Sequence, residues 1–378
     1  MAMMEQSEAL TMNWRSVAIA LMVACALIPQ LYLWSKSIER HATVWLALFV
    51  LAVGINATPM IIGFAGAYDI WPGLTFLPVN LMLFFGPLLY LHARQLMMGV
   101  TPVVYYALLI PGLLNWVYEL WAFTTLGDYR AKWAYNDAFH EPFIVPLVQA
   151  AALALGAWAF WSIWRMRRMY TSWLDANRSD ADDFEPRWIN HILVIGTIAA
   201  LLWAVDLIVS YIFGLSYLEQ FWWDLAVLFL VMLLSLEALA RLEQPFPKML
   251  APDAVSVEEL MEQVAAERDW VAEGERLRDE VIANGWHLES SLSLQTLSRR
   301  FGMNQAYVSR ALNQGLDLSF SNFINGLRVE HAKGMIGRKD VNLLDVALSS
   351  GFGSKASFNR AFKLHAGVSP SEHRRLNS

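Results

Sequence analysis

Two short stretches near the C-terminus place side chains able to read a nucleic-acid edge on one helical face. Ala306, Ser309, Arg310 and Asn313 share the first face; Lys355, Ala356, Asn359, Arg360 and Lys363 share the second. A guanidinium can bond guanine through two parallel contacts, and a side-chain amide can do the same with adenine. Lysine suits the phosphate backbone. The competing reading is that both faces are simply solvated. Their occurrence in tandem weighs against it.

The elements that must hold these faces recur as a pair. The first unit is "LSLQTLSRRFGMNQAYVSRALNQG", the second "VNLLDVALSSGFGSKASFNRAFKLHAG". Each reads as an apolar helix, a glycine, a capping residue and a second helix. In the first, Leu294, Leu297 and Phe301 line one face, Gly302 supplies a left-handed position, Asn304 caps the next helix, and Val308 and Leu312 anchor it. In the second, Val346, Ala347 and Phe352 pack, Gly353 precedes the cap Ser354, and Phe358 and Phe362 anchor. This pattern predicts two helix-turn-helix units whose later helices enter major grooves. The intervening "SFSNFINGLRVEHAKGMI" reads as one helix of roughly 27 Å, near the ~34 Å duplex repeat, so both readers can meet one side of DNA.

Charge agrees. The 378 residues carry 28 Lys and Arg against 34 Asp and Glu, but the block from Trp286 onward holds 12 against 6. A basic block on an acidic chain suggests a polyanionic partner for that block.

The last 90 or so residues resemble the DNA-binding domain of the AraC/XylS family of bacterial transcription regulators. The second unit carries the resemblance most specifically, in "DVALSSGFGSKASFNRAFKLHAGVSPSEHRR" with its closing Gly-x-Ser-Pro-x-x-x-Arg pattern. The first, with "YVSRALNQ" and "FSNFINGLRVEHAK", is similar to the subgroup whose N-terminal half is membrane-embedded. Leu312 stands where the family usually has Phe. The resemblance implies DNA contact by Ala306, Ser309 and Arg310, then by Lys355, Ala356, Ser357 and Arg360, and so adds Ser357.

The preceding two-thirds is a different material. Hydrophobic residues make up 56% of the chain and charged residues 16%, with mean hydropathy +0.37. Soluble chains sit near 45–50% and ~25%. Seven apolar runs, at roughly 14–34, 42–65, 73–96, 102–123, 142–164, 188–213 and 221–241, approach the ~20 residues that cross a bilayer. Lys36 and Arg40, then Arg94, then Arg165, Arg167, Arg168, Arg178 and Arg187, then Arg241 and Lys248 mark alternate connections as cytoplasmic. The N-terminus is then outside and the C-terminus inside. The acidic start argues against a cleaved leader, so the first run is expected to be retained.

Asn80, Glu119, Asp206 and Asp224 fall in the outer half of this arrangement. A charge in lipid costs roughly 2.5 kcal/mol or more, so each should face a partner or a wet cavity. They either form an outward pocket for a cation or amphipathic molecule, or serve as interhelical hydrogen bonds and headgroup contacts; the second reading is favoured. No catalytic motif emerges. "HEPF" lacks a second His, no phosphate-binding glycine loop occurs, and Cys25 alone excludes a disulfide framework or cysteine zinc site. No catalytic residue, metal or cofactor is expected.

Between the two regions, Pro245, Pro247 and Pro252 should stop the last span continuing as a rod. A helix follows, with a candidate apolar stripe of Val257, Leu260, Val264, Val271 and Val281. It either packs on the C-terminal block or pairs with a second copy, and the break at Gly274 favours packing.

The expectation is an all-α chain: a seven-helix transmembrane sensor over residues 1–242, a Pro-containing linker and connector helix over 243–285, and a cytoplasmic tandem helix-turn-helix domain over 286–378. Such a chain would be a one-component regulator in a bacterial inner membrane. Its partners would be promoter DNA, the bilayer, a small-molecule or membrane ligand, a second copy, and RNA polymerase if it activates. The alternatives are a seven-span transporter or lipid-binding protein with a regulatory DNA-binding tail, and a tail that binds protein instead.

Overall fold

A computed structural model of the chain describes residues 13–184, 187–213, 217–240, 246–249, 269–336 and 342–376. These residues are all helix and connection. No strand occurs among them, only an isolated antiparallel bridge between Arg178 and Ser293. They divide into two compact units that do not follow chain order: Met1–Arg167 with Arg187–Lys248, and Arg168–Pro186 with Met249–Ser378.

The first unit opens with α1 (Trp14–Lys36), whose free N–H groups at Arg15 and Ser16 are taken by the Asn13 side chain at 2.8 and 3.1 Å. There follow α2 (Arg40–Asn56), α3 (Thr58–Phe64), α4 (Ala67–Ile70), α5 (Phe85–Met98), α6 (Ile110–Thr125) and α7 (Tyr129–Tyr135). A π-helical stretch over residues 136–144, containing Pro142, leads into α8 (Val145–Asn177), whose residues from Arg168 on belong to the second unit, and then come α9 (Arg187–Phe213) and α10 (Tyr217–Leu239). Among the described residues, six stretches are long and apolar enough to cross a membrane: Trp14–Lys36, Arg40–Phe64, Val103–Thr125, Tyr129–Asn177, Ile189–Ser210 and Glu219–Leu239.

The third apolar run, 73–96, is not one helix. Pro72 starts a 3₁₀ turn, residues 78–81 are irregular around Pro78, and α5 then supplies only 14 residues. Hydropathy registers such a run without registering its proline break. Backbone freed inside an apolar bundle needs partners, and polar side chains provide them. Asn56 Oδ1 accepts from the Leu81 amide at 3.2 Å, and Glu119 Oε2 accepts from the Asn80 amide at 3.3 Å.

Elsewhere the helices are fastened by a few buried polar contacts. Ser16 Oγ donates to Ile61 O at 2.8 Å, and His92 Nδ1 lies 2.8 Å from Ala42 O. At one end, Lys248 Nζ bonds Glu39 at 2.6 Å and Leu96 O at 3.0 Å, while Glu39 also accepts from the Phe246 amide. The connections after α1 and α5 therefore meet the end of the unit at one place. Outward surfaces are aliphatic: Leu21 is 58% exposed, Leu114 66% and Ile208 58%.

The second unit contains α11 (Trp270–Ala283), α12 (Leu294–Phe301), α13 (Gln305–Arg310) with a π-helical continuation over residues 311–315, α14 (Phe320–Ile336), α15 (Leu343–Ser349), α16 (Lys355–Ala366) and α17 (Pro370–Leu376). Its described residues form two apolar cores. Leu277, Leu297, Val308, Leu312 and Phe323 anchor the first; Val329, Val346, Phe352, Phe358 and Phe362 anchor the second. Helix α14 serves both, its first half in one core and its second half in the other. Its 17 residues span about 26 Å.

The connector helix packs on this unit. Its buried face is Gly274, Leu277 and Val281, so the expected stripe is corrected: Val271 points outward at 54% exposure. Gly274 is the point of closest approach, where a Cβ would come within 2.9 Å of Ala311 O and 2.8 Å of Leu316. Val257, Leu260 and Val264 lie outside the described residues, as do Arg241, Pro245 and Pro252. Pro247 is described and is not helical.

Candidate nucleic-acid interface

Each reading helix is set by a local device that fixes where it starts. Gly302 ends α12 at φ +65°, and Asn304 Oδ1 then accepts from the Tyr307 amide at 2.7 Å to open α13. The second turn uses Gly351 at φ +86°, with Leu288 O so near that a Cβ there would sit 2.6 Å away. Ser354 Oγ accepts from the Ser357 amide at 3.1 Å to open α16. Behind α16 the Phe358 ring meets Phe352 at a tilt and Phe362 edge to face, with centroids 5.3 and 5.5 Å apart. Asn304→Ala should cost about 1 kcal/mol, read as a lower denaturation midpoint of the second unit in the full chain. Asn304→Asp, which keeps an accepting oxygen, should stay near the starting midpoint.

The sequence-derived reading residues divide by exposure. On the first helix Ala306 and Asn313 are exposed, while Ser309 and Arg310 are half-buried. Asn313 Nδ2 donates to Ser309 Oγ at 3.2 Å, and the Arg310 guanidinium lies 5.7 Å from the Trp270 ring. On the second helix Lys355, Ala356, Asn359 and Lys363 are exposed, and Arg360 is half-buried. Ser357, the residue added by resemblance, is 5% exposed, and its hydroxyl donates to Ser354 O at 2.9 Å. It therefore braces the helix start rather than facing outward. Neither reading helix contains an Asp or Glu, so each helix itself contributes only positive or neutral side chains.

Helix α14, which sets the spacing between the readers, is held by Arg328. This guanidinium is 1% exposed. It donates from Nε to His287 O at 2.7 Å, and to Asn325 Oδ1, Glu289 O and both oxygens of Ser179. Burial pushes its pKa down to about 10, against the carboxylates of Asp180 and Asp183, which favour the charged form. Arg328, Ser179 and Trp270 were not singled out by sequence. Arg328 carried a signal, being a cation on the apolar side of α14; Ser179 lies far away in the chain and carried none.

The four candidate sensing residues separate into two places in the first unit. Asn80 and Glu119 are joined, with Asn115 Nδ2 donating to Glu119 Oε1 at 3.0 Å and to Asn80 O at 3.4 Å. That cluster borders a cavity of about 240 Å³ with Lys132, Trp133 and His140. Asp206 on α9 accepts from Ser210 Oγ at 3.5 Å, and Gln220 Nε2 donates to the same hydroxyl. Asp224 on α10 lines a larger apolar cavity of about 780 Å³ among α2, α5, α8, α9 and α10. Its Oδ2 is buried and bonds to nothing among the described residues. No metal-binding cluster occurs among the described residues.

Comparison with known proteins gives a family match that falls in the second unit. Residues 297–376 match the family described as helix-turn-helix domain. An uncharacterized HTH-type transcriptional regulator of Staphylococcus aureus is 36% identical over 88 residues, which is 23% of this chain and 12% of that protein. The melibiose operon regulatory protein of Escherichia coli is 25% identical over 89 residues, 24% of this chain and 30% of that protein. The similarity therefore spans less than a third of either relative. Among solved structures, a protein of unknown function from Listeria innocua is similar at 29% identity, covering 26% of this chain and 96% of that one, with a TM-score of 0.25.

Proposed function

Because residues 297–376 are an AraC-type helix-turn-helix domain, we propose that the chain is a membrane-bound, one-component transcription regulator. It is a regulator and not a catalyst. Its C-terminal unit binds promoter DNA in the cytoplasm, and its N-terminal spans respond to a molecule in or outside a bacterial inner membrane. In this reading the chain crosses seven times, the third crossing being the proline-broken segment completed by α5, with the N-terminus outside. The joining of Glu39, Leu96 and Lys248 at one end supports that topology, because it brings together connections already marked as basic. Aliphatic outer surfaces on α1, α6 and α9 suit a hydrocarbon solvent, since each such side chain left in water would forgo about 1.5–3 kcal/mol. Self-association and contact with RNA polymerase, where the protein activates, belong to the same reading.

The observation that carries it is the pair of capped, carboxylate-free reading helices on one shared helix. The test is retention of genomic fragments by the full chain in lipid nanodiscs. A discrete fragment set, released steeply as salt rises, is the expected result. Indiscriminate retention, or none, rejects sequence-specific binding.

The 780 Å³ cavity favours a second reading, a transporter or lipid-binding protein with a regulatory DNA-binding tail. That reading requires solute flux across proteoliposomes, or lipid retained through purification. The regulator requires neither.

A further inference from the structure

The chain between α8 and α9 belongs to the second unit, and among its described residues two side chains, Ser179 and Asp183, hydrogen-bond to the C-terminal helices and their connections. At the first, Ser179 is 2% exposed. Its amide and its hydroxyl both donate to Leu292 O, at 3.1 and 2.8 Å, and its oxygens accept from Arg328. At the second, a 3₁₀ turn over Ala181–Asp183 brings the Asp183 carboxylate to the start of α16. There Oδ1 accepts from Ser354 Oγ at 2.8 Å, while the same Ser354 oxygen caps Ser357. The neighbouring Gly353 leaves room for this carboxylate; a Cβ in its place would lie 3.0 Å from Oδ2. Asp180 is fixed between these points by two bonds from Arg178, at 2.8 and 2.7 Å. Further along α16, Arg360 lines a cavity of about 300 Å³ together with Asp175 and Ala181.

The start of a recognition helix is the part that approaches base edges and the flanking phosphates. Its free amides and dipole favour an anion. In this structure an anion is already seated there, and it comes from the chain itself. A carboxylate and a phosphate cannot share that place, because like charges brought together repel strongly. Resting on the DNA-binding reading proposed above, we infer that the Asp180–Asp183 turn is an intramolecular competitor of DNA: it occupies the start of α16 and must lift away before the second reader enters a groove. The two attachments differ in strength. Ser179 is buried under a guanidinium, whereas Asp183 is held by one exposed hydroxyl bond. The turn can therefore open at Asp180–Ala181 while Ser179 stays in place. Since α8 and α9 lead into and out of this loop, a ligand that changes how those helices pack alters the competitor's occupancy in proportion to its differential affinity for the two states.

The test uses the full chain in nanodiscs and a fluorescent mixed-sequence duplex. Asp183→Asn should tighten binding on the order of five-fold. Asp279→Asn, which removes the same charge from an exposed position on α11, should change it less than about two-fold. In the unaltered chain, saturating duplex should speed amide exchange in residues 181–184 and leave Ser179 protected. Equal effects of the two substitutions, or unchanged protection of 181–184 with duplex bound, overturn the competitor. No binding by any variant overturns the DNA-binding reading itself, and the competitor with it.

Discussion

In the full chain, Arg328→Ala is expected to cost the second unit about 3–5 kcal/mol and to abolish DNA retention. The side chain is fully enclosed, and its three nitrogens satisfy the carbonyls of His287, Ser179 and Glu289 and the Asn325 amide oxygen. Truncation leaves the His287, Ser179 and Asn325 acceptors buried without this donor, at about 1–3 kcal/mol for a group that water cannot reach, and opens a void beside the middle of α14. A domain of this size has only about 5–15 kcal/mol in reserve. Because α14 belongs to both cores, the loss is felt by both readers. Arg328→Lys keeps the charge but not the planar fork that spreads over several acceptors, and should recover about half the loss. Amide exchange along Phe320–Ile336, measured in nanodiscs, separates the cases. Protection in Arg328→Ala within about 0.5 kcal/mol of the parent would show that the guanidinium is structurally idle.

The second large effect concerns binding rather than folding. Arg360→Glu should weaken retention of the chain's own genomic fragments by roughly a hundred-fold. Removing a bidentate base contact accounts for about 1–3 kcal/mol, and the new carboxylate adds repulsion from the backbone. Lys363→Ala is the contrast. It is exposed on the same helix, and taking a cation away from the phosphates there should weaken all duplexes alike and lower the salt slope by about one. Both variants keep the Phe358 and Phe362 core, so amide exchange should match the parent. Equal discrimination among fragments before and after Arg360→Glu would remove that residue from base reading.

The second unit was readable because its signals are local. Gly302 and the caps Asn304 and Ser354 act over a few residues, and Leu297, Val308, Phe358 and Phe362 sit at helical intervals that leave one packing solution. Even there the resemblance and the structure part at Ser357, whose type suits a DNA contact but whose position lies on the inner side of α16. In the first unit, apolarity marked helices but could not mark their continuity. Pro78 splits the third run, and Asn56 and Asn115, unremarkable in sequence, repair the break. The connector stripe failed at Val271 because the true contact is Gly274, a residue whose value lies in having no side chain. Least legible was the loop after α8. Ser179 meets Leu292 and Arg328 across more than a hundred residues, and a spacing that long leaves no periodic trace.

The Ser179–Arg328 attachment bears on how such a protein could be deployed. Cutting the chain once between Lys248 and Trp270 severs one peptide connection, yet the C-terminal helices would still be held noncovalently to residues 168–186, which run directly into α8 and α9. Liberating a diffusible factor would require two scissions, or one scission plus undocking of that segment. A single proteolytic cut is therefore a poor trigger for releasing the C-terminal helices of this molecule.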